Sequence, residues 1–182
     1  MSMSLINSLG GFSQIGMVVT DADQTMHYMT RTLGIGPFFV ARRTTPQNYR
    51  FRGAPAPAPE MTLCFAQAGP VQIELIQQHN DAPSAYREFL AAGREGCQHL
   101  SIWFSERDAY TRAREQLTLS GLVLVHESLN PRAHFAYFGT EMPGGLMVEI
   151  AEARTPGIRH IFEGVAKAAE AWDGSDPIRN LG

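Results

Sequence analysis

Lysine is nearly missing from this chain of 182 residues: of fifteen cationic side chains fourteen are arginine, and Lys167 is the only lysine. Cysteine is scarce as well. Cys64 and Cys97 are far apart and neither sits in a CxxC pair, which excludes a disulfide framework and a thiolate metal knot. No apolar run reaches the about 18 residues that a membrane-spanning helix requires. Residues 1–11 carry no charged segment ahead of an apolar stretch, so no signal peptide is expected and the expected compartment is the cytoplasm. A net charge of -3 argues against a nucleic-acid partner, which usually demands a basic face. What remains is a chain with 44% hydrophobic and 18% charged residues, the composition of one compact domain spanning residues 1–182.

Punctuation by glycine, proline and capping residues divides the chain into short elements. Residues 12–20 (FSQIGMVVT) read as a strand. Asp21 then caps a helix over 22–33, with Met26, Met29 and Leu33 on its apolar side and Gly34 ending it. Residues 37–42 form a second strand. Residues 44–60 hold four prolines and read as a loop. Strands at 61–68 and 71–76 are joined at Gly69-Pro70. A helix over 81–92, capped by Asp81, leads to a strand at 98–105 and a helix at 106–119. Strands follow at 122–126, 134–139 and 146–151. Residues 156–172 carry Ile158, Ile161, Phe162 and Val165 at helical spacing and form a terminal helix, followed by a polar tail.

This order repeats: strand, helix, then three strands, twice. Gln14 and His99 occupy equivalent places in the two first strands. Glu74 (VQIELI) and Glu149 (LMVEIA) occupy equivalent places in the two last strands. Alternation along a strand puts each glutamate on the face opposite its apolar neighbours. If the halves pack as pseudo-twofold mates, Gln14, Glu74, His99 and Glu149 converge. Two converging carboxylates repel, and burial raises the cost. A divalent cation removes both problems. Three oxygens and one nitrogen suit Zn, Co, Ni, Mn or Fe better than Mg or Ca.

The stretches IGMVVTDADQTMHYMTRTLGIGPF, VQIELIQQHNDAP, GCQHLSIWFSE and FAYFGTEMPGGLMVEIAE resemble the vicinal oxygen chelate superfamily. That superfamily includes glyoxalase I, methylmalonyl-CoA epimerase, bleomycin-resistance proteins and extradiol dioxygenases. The resemblance covers roughly residues 12–152. It implies an α+β fold of paired βαβββ modules forming a cupped mixed β-sheet. The modules would span 12–78 and 97–152, with a connecting helix in 79–96 and an added helix and tail in 153–182.

Carried over residue by residue, the family's metal positions fall on Gln14, Glu74, His99 and Glu149, implying one divalent metal ion per chain. The resemblance makes Glu149 the catalytic base. The implied function is a metal-dependent lyase or isomerase that enolises a carbonyl or thioester compound. Residues 61–68 offer no Asp or Glu as a second base, which favours such an enzyme over a two-base epimerase. Two alternatives stay open: an extradiol-type dioxygenase, and a non-catalytic small-molecule binder of the bleomycin-resistance type.

Outside the four ligand positions, His134 opens the HFAYF strand and Trp103 shares strand parity with His99. Both are candidates for substrate contact. His27, His79, His126 and His160 read as structural or solvated. Arg50 and Arg52 are candidates for an anionic substrate, although solvated loop arginines are commoner. The partners expected are a small-molecule substrate and a second copy of the chain, with no nucleic acid and no membrane. The homodimer expectation rests on the apolar stripe of the terminal helix, which could instead cover the chain's own sheet.

Overall fold

The computed structural model describes residues 5–181. The reading of residues 1–11 falls partly on residues 1–4, which lie outside the described residues, as does residue 182. A short α1 (Leu5–Ser8) precedes the first module. That module consists of β1 (Gln14–Val18), α2 (Ala22–Tyr28), β2 (Phe38–Thr44), the small strands β3 (Tyr49–Phe51) and β4 (Ala54–Pro55), β5 (Met61–Ala68) and β6 (Val71–Gln78). After α3 (Ala85–Ala91), the second module runs β7 (Gly96–Trp103), α4 (Arg107–Leu119), β8 (Val123–Asn130), β9 (Ala133–Gly139) and β10 (Met147–Ala151). The chain ends with α5 (Pro156–Glu170) and β11 (Ile178–Asn180).

Among the described residues all eleven strands belong to one curved mixed sheet in the order β11-β2-β5-β6-β1-β7-β10-β9-β8-β3-β4. Its centre is the antiparallel pair β1 and β7, where the two modules meet. The register makes the internal repeat explicit. Gln14 faces Gln72 and Gly16 faces Glu74 across β1 and β6. In the same way His99 faces Met147 and Ser101 faces Glu149 across β7 and β10. Across the seam, Gln14 pairs with Ser101 and Gly16 with His99, so a pseudo-twofold exchanges the two pairs.

Helices cover the outside of each module. Met26 of α2 and Met29 directly after it pack with Phe38, Val40, Cys64 and Leu75. Tyr110, Ala113 and Leu117 of α4 pack with Ile102, Phe138 and Ile150. Inside the cup, Ala85, Tyr86 and Phe89 of α3 fill the end beside Val18 and Ile76. Burial of this kind contributes about 25 cal/mol per Å² of apolar surface.

Several local expectations are corrected. The first helix turns π-helical over Met29–Leu33 before Gly34 ends it in the left-handed conformation, so Leu33 is exposed. Tyr28 is exposed too. Helix α3 starts later than expected and is capped by the Ser84 side chain, not Asp81. The proline-rich segment is not structureless. Its β3 crosses to the far edge of the cup and pairs with β8, tying the first module to the second. The polar tail adds β11 beside β2, because Ile178 packs on the first core cluster.

The terminal helix turns Ile158, Phe162 and Val165 inward against the chain's own sheet, and Val165 is buried. Most of its stripe therefore covers the chain's own sheet, while Ile161 stays exposed. Among the described residues no helix is long and apolar enough to cross a membrane.

Candidate metal centre

Two neighbouring central strand pairs deliver the site. Glu74, Gly16 and His99 face one another across β6, β1 and β7, and Glu149 on β10 faces Ser101, two residues further along β7. The Nε2 of His99 lies 3.3 Å from Oε2 of Glu74 and 3.6 Å from Oε2 of Glu149. One ligand atom from each of the three lies within 4.8 Å of the others, and all three side chains are buried. Bonds of about 2.0–2.2 Å to a common cation put neighbouring ligand atoms about 3.0–3.5 Å apart, so this spacing fits a divalent ion.

The imidazole is held ready for such a role. His99 Nδ1 sits 2.8 Å from Oε1 of Gln98, whose Nε2 donates to the sulfur of Met147 at 3.1 Å. That orientation of Gln98 places the proton on Nδ1 and leaves the Nε2 lone pair facing the carboxylates. The hydroxyl of Tyr137 lies 3.3 Å from the same Nε2. Gly16 makes room for the ring: a Cβ there would stand 1.8 Å from Cε1 of His99.

The electrostatics agree with a cation site. Burial pushes the carboxyl of Glu74 up to about 8. Burial likewise raises Glu149 to about 7, opposed by His99. Burial lowers His99, with Glu149 opposing. Two buried acids and a neutral imidazole form a poor apolar core but a good donor set for a transition metal. Ser101, opposite Glu149 in register, is buried too.

Gln14 is buried beside them. Its Nε2 donates to Oε1 of Gln72 at 2.8 Å, so its own Oε1 remains the available ligand atom. A cavity of about 200 Å³ is lined by Gln14, Glu74, Glu149, Trp103 and His134, with Ile158 and Phe162 of α5 also in its wall. Five of the six residues singled out from the sequence line this space, and the sixth, His99, is fully buried behind Glu74 and Glu149. Arg50 and Arg52 lie elsewhere: Arg52 pairs with Glu88, and Arg50 with the Gly53 carbonyl.

Three features escaped the sequence reading. Glu152 lines the same cavity, but it accepts from Arg107 and from the backbone N–H of His134, which leaves it no free role with a proton. His126, expected at a strand end, lies inside β8 and is buried among Tyr49, Tyr86 and Tyr137. Burial, with His99 nearby, depresses its basicity to about 3. Phe162 stacks on Trp103 with ring centroids 4.9 Å apart and meets Phe65 at 5.2 Å. The helical spacing of Ile158 and Phe162 signalled a buried face but not the surface it covers.

Comparison with known proteins agrees with this architecture. Among solved structures, methylmalonyl-CoA epimerase from Mycobacterium tuberculosis is similar with a TM-score of 0.54 and 19% identity, covering 88% of this chain and 96% of that one. A hypothetical protein from Bacillus halodurans C-125 is similar with a TM-score of 0.52 and 17% identity, covering 77% and 91% of the two chains. These likenesses concern the fold. No curated protein matches the sequence. Residues 13–140 match the family described as Glyoxalase/Bleomycin resistance protein/Dioxygenase superfamily, and the chain, with its cupped sheet and buried Glu-His-Glu group, belongs to that superfamily.

Proposed function

We propose that the protein is a divalent-metal-dependent lyase or isomerase that moves a proton next to a carbonyl group. The observation that carries this reading is the convergence of Glu74, His99 and Glu149 to within 4.8 Å, with the two glutamates on the wall of a small, part-apolar cavity. Gln14, Glu74, His99 and Glu149 would hold the ion. When bound, a divalent cation of the Zn, Co, Ni, Mn or Fe class supplies Lewis acidity, offsetting charge that develops on a carbonyl oxygen.

The protein's own groups do the rest. Glu149 takes the proton from the carbon beside the carbonyl and returns it. Its raised basicity, about 7 before metal binding, suits proton transfer near neutral pH. Trp103 and His134 border the space where the substrate body sits, and Phe162 helps exclude water. The strand 61–68 brings no carboxylate to the cavity, so proton removal and return both fall to Glu149 or water. The methylmalonyl-CoA epimerases among the structural neighbours share the fold, and acyl thioesters are therefore one substrate class to test.

The test is hydrogen–deuterium exchange at the α-carbon of candidate acyl thioesters and 2-oxo hemithioacetals in D₂O. Exchange that depends on added divalent metal and is lost in Glu149→Gln is the expected result. Oxygen consumption with a catechol and no carbonyl exchange would overturn it.

A further inference from the structure

A second space adjoins the metal-facing cavity. A cleft of about 300 Å³ is lined by Ser13, Gln72, Trp103, Arg154, Arg159 and Phe162, together with Gln67, Glu163 and their neighbours. Trp103 and Phe162 belong to both walls, so their stacked rings form the partition between the two spaces. The inner space carries the carboxylates Glu74 and Glu149, and the outer one carries two guanidinium groups.

We propose that this outer cleft is an anion-binding subsite, taking a carboxylate or phosphate group on the substrate whose carbonyl sits at Glu74, His99 and Glu149. Three observations support it. Arg154 has one contact that does not neutralise it: its guanidinium donates to the Ser13 hydroxyl at 3.2 Å. Arg159 is only partly compensated by Glu163, one turn along α5 at 3.4 Å, and both side chains are largely exposed. Two guanidinium groups against one carboxylate leave the cleft net positive, although the chain as a whole is net negative.

The third observation is independent of charge. Gln72 is 1% exposed and its Nε2 has no hydrogen-bond partner among the described residues. An unpartnered buried amide N–H costs about 1–3 kcal/mol, which a ligand oxygen would recover once the Gln72 side chain turns slightly toward the cleft it lines. Its other amide atom, Oε1, accepts from Gln14. One pair of glutamines therefore links the outer cleft to the metal-facing cavity. Arginine suits such a subsite because its planar fork matches carboxylate and phosphate oxygens. The substrate class that follows is a small carbonyl compound with an anionic tail, spanning the Trp103–Phe162 partition.

The part concerning the carbonyl rests on the proposed function, while anion capture by the cleft does not, and the experiment separates them. Metal-free protein with labelled tryptophan indoles is titrated with acetate, and separately with inorganic phosphate, at constant ionic strength balanced by chloride. The indole N–H of Trp103 is assigned with the Trp172→Phe variant. A saturable shift with either anion is expected, and Arg159→Met and Gln72→Leu should weaken it at least fivefold. Arg159 is exposed, so that variant remains informative if Gln72→Leu folds poorly. No saturable shift, or an equal one in Arg159→Met, overturns the subsite. In metal-loaded protein, 4-oxopentanoate should bind at least fivefold more tightly than pentan-2-one, and equal binding overturns the link to the carbonyl site. Failure to bind metal with the acetate shift intact would sink the proposed function and leave the subsite standing.

Discussion

Gly16 and His99 are cross-strand partners, and the imidazole of His99 lies over the backbone where any side chain at position 16 would stand. A methyl group there would meet three ring atoms at 1.8 to 2.4 Å, all belonging to a fully buried side chain. Gly16→Ala should therefore push the imidazole off the carboxylates. We expect a folded protein destabilised by about 1–3 kcal/mol, the usual range for overpacking. Divalent-metal affinity should fall at least tenfold. Calorimetric metal titration beside a denaturation curve checks both. Wild-type affinity in Gly16→Ala would show that His99 is not a ligand.

The raised carboxyls make stability depend on pH in a direction opposite to most acidic groups. Burial lifts Glu74 from 4.5 to about 8 and Glu149 to about 7. Between pH 6.5 and 8 the folded, metal-free protein holds protons that the unfolded chain has already released. Stability contributed by these neutral acids is full below 4.5 and is lost as pH rises through 7 and 8. The buried histidines His99 and His126, lowered in the fold, are half protonated in the unfolded chain at pH 6.5, so they add a smaller opposing slope at the acid end of that window that fades toward pH 8. Metal-free protein should thus melt at lower temperature at pH 8 than at pH 6.5. Saturating Zn or Mn should flatten or reverse the trend, because bound metal displaces the protons. Thermal melts at the two pH values, with and without metal, measure it.

The repeat and its four polar positions were legible because a duplicated unit writes the same pattern twice, and because alternation in a strand fixes which face a glutamate takes. Glu74 and Glu149 stand out in apolar strands for that reason, and Gly16 opposite His99 follows from the same register. The strap that residues 44–60 make across to β8 was not legible. Nothing local in residues 44–60 favours a strand: proline removes donors, and the pairing of Tyr49–Phe51 with β8 bridges about 77 positions of sequence. Its stability comes from contacts that exist only once the cup has formed. The same holds for His126, whose surroundings are assembled from the strap, α3, β8 and β9, and for Gln72, whose orphaned amide is visible only in three dimensions.

The strap should be worth measurable stability through one hydroxyl. Tyr49 Oη donates to the Pro83 carbonyl at 2.9 Å and accepts from Nδ1 of His126 at 2.9 Å. Tyr49→Phe keeps the ring contact but leaves a buried N–H and a carbonyl without a partner, at a cost of about 2 kcal/mol. Metal stoichiometry should not change, because neither group touches the carboxylates. Urea denaturation of both forms checks the loss. A difference within 0.5 kcal/mol, about the noise of a neutral surface change, would show that the strap is held by its backbone pairing alone.

Removing the ring of Phe162 should open the site without dismantling the fold. The ring contacts Trp103 and Phe65, and all three line the inner cavity, yet none of the three buried core clusters includes Phe162. Phe162→Ala should cost about 2–3 kcal/mol, below the cost of emptying a fully enclosed position. In a Trp172→Phe background, the emission of Trp103 should move to longer wavelength and become more easily quenched by acrylamide. Both changes follow from water reaching an indole face that the phenyl ring now covers. With the partition gone, the two spaces merge, so larger carbonyl compounds should bind, while 4-oxopentanoate should lose affinity as its path is no longer confined. Unchanged quenching in Phe162→Ala would mean that α5 does not seal the cup in solution.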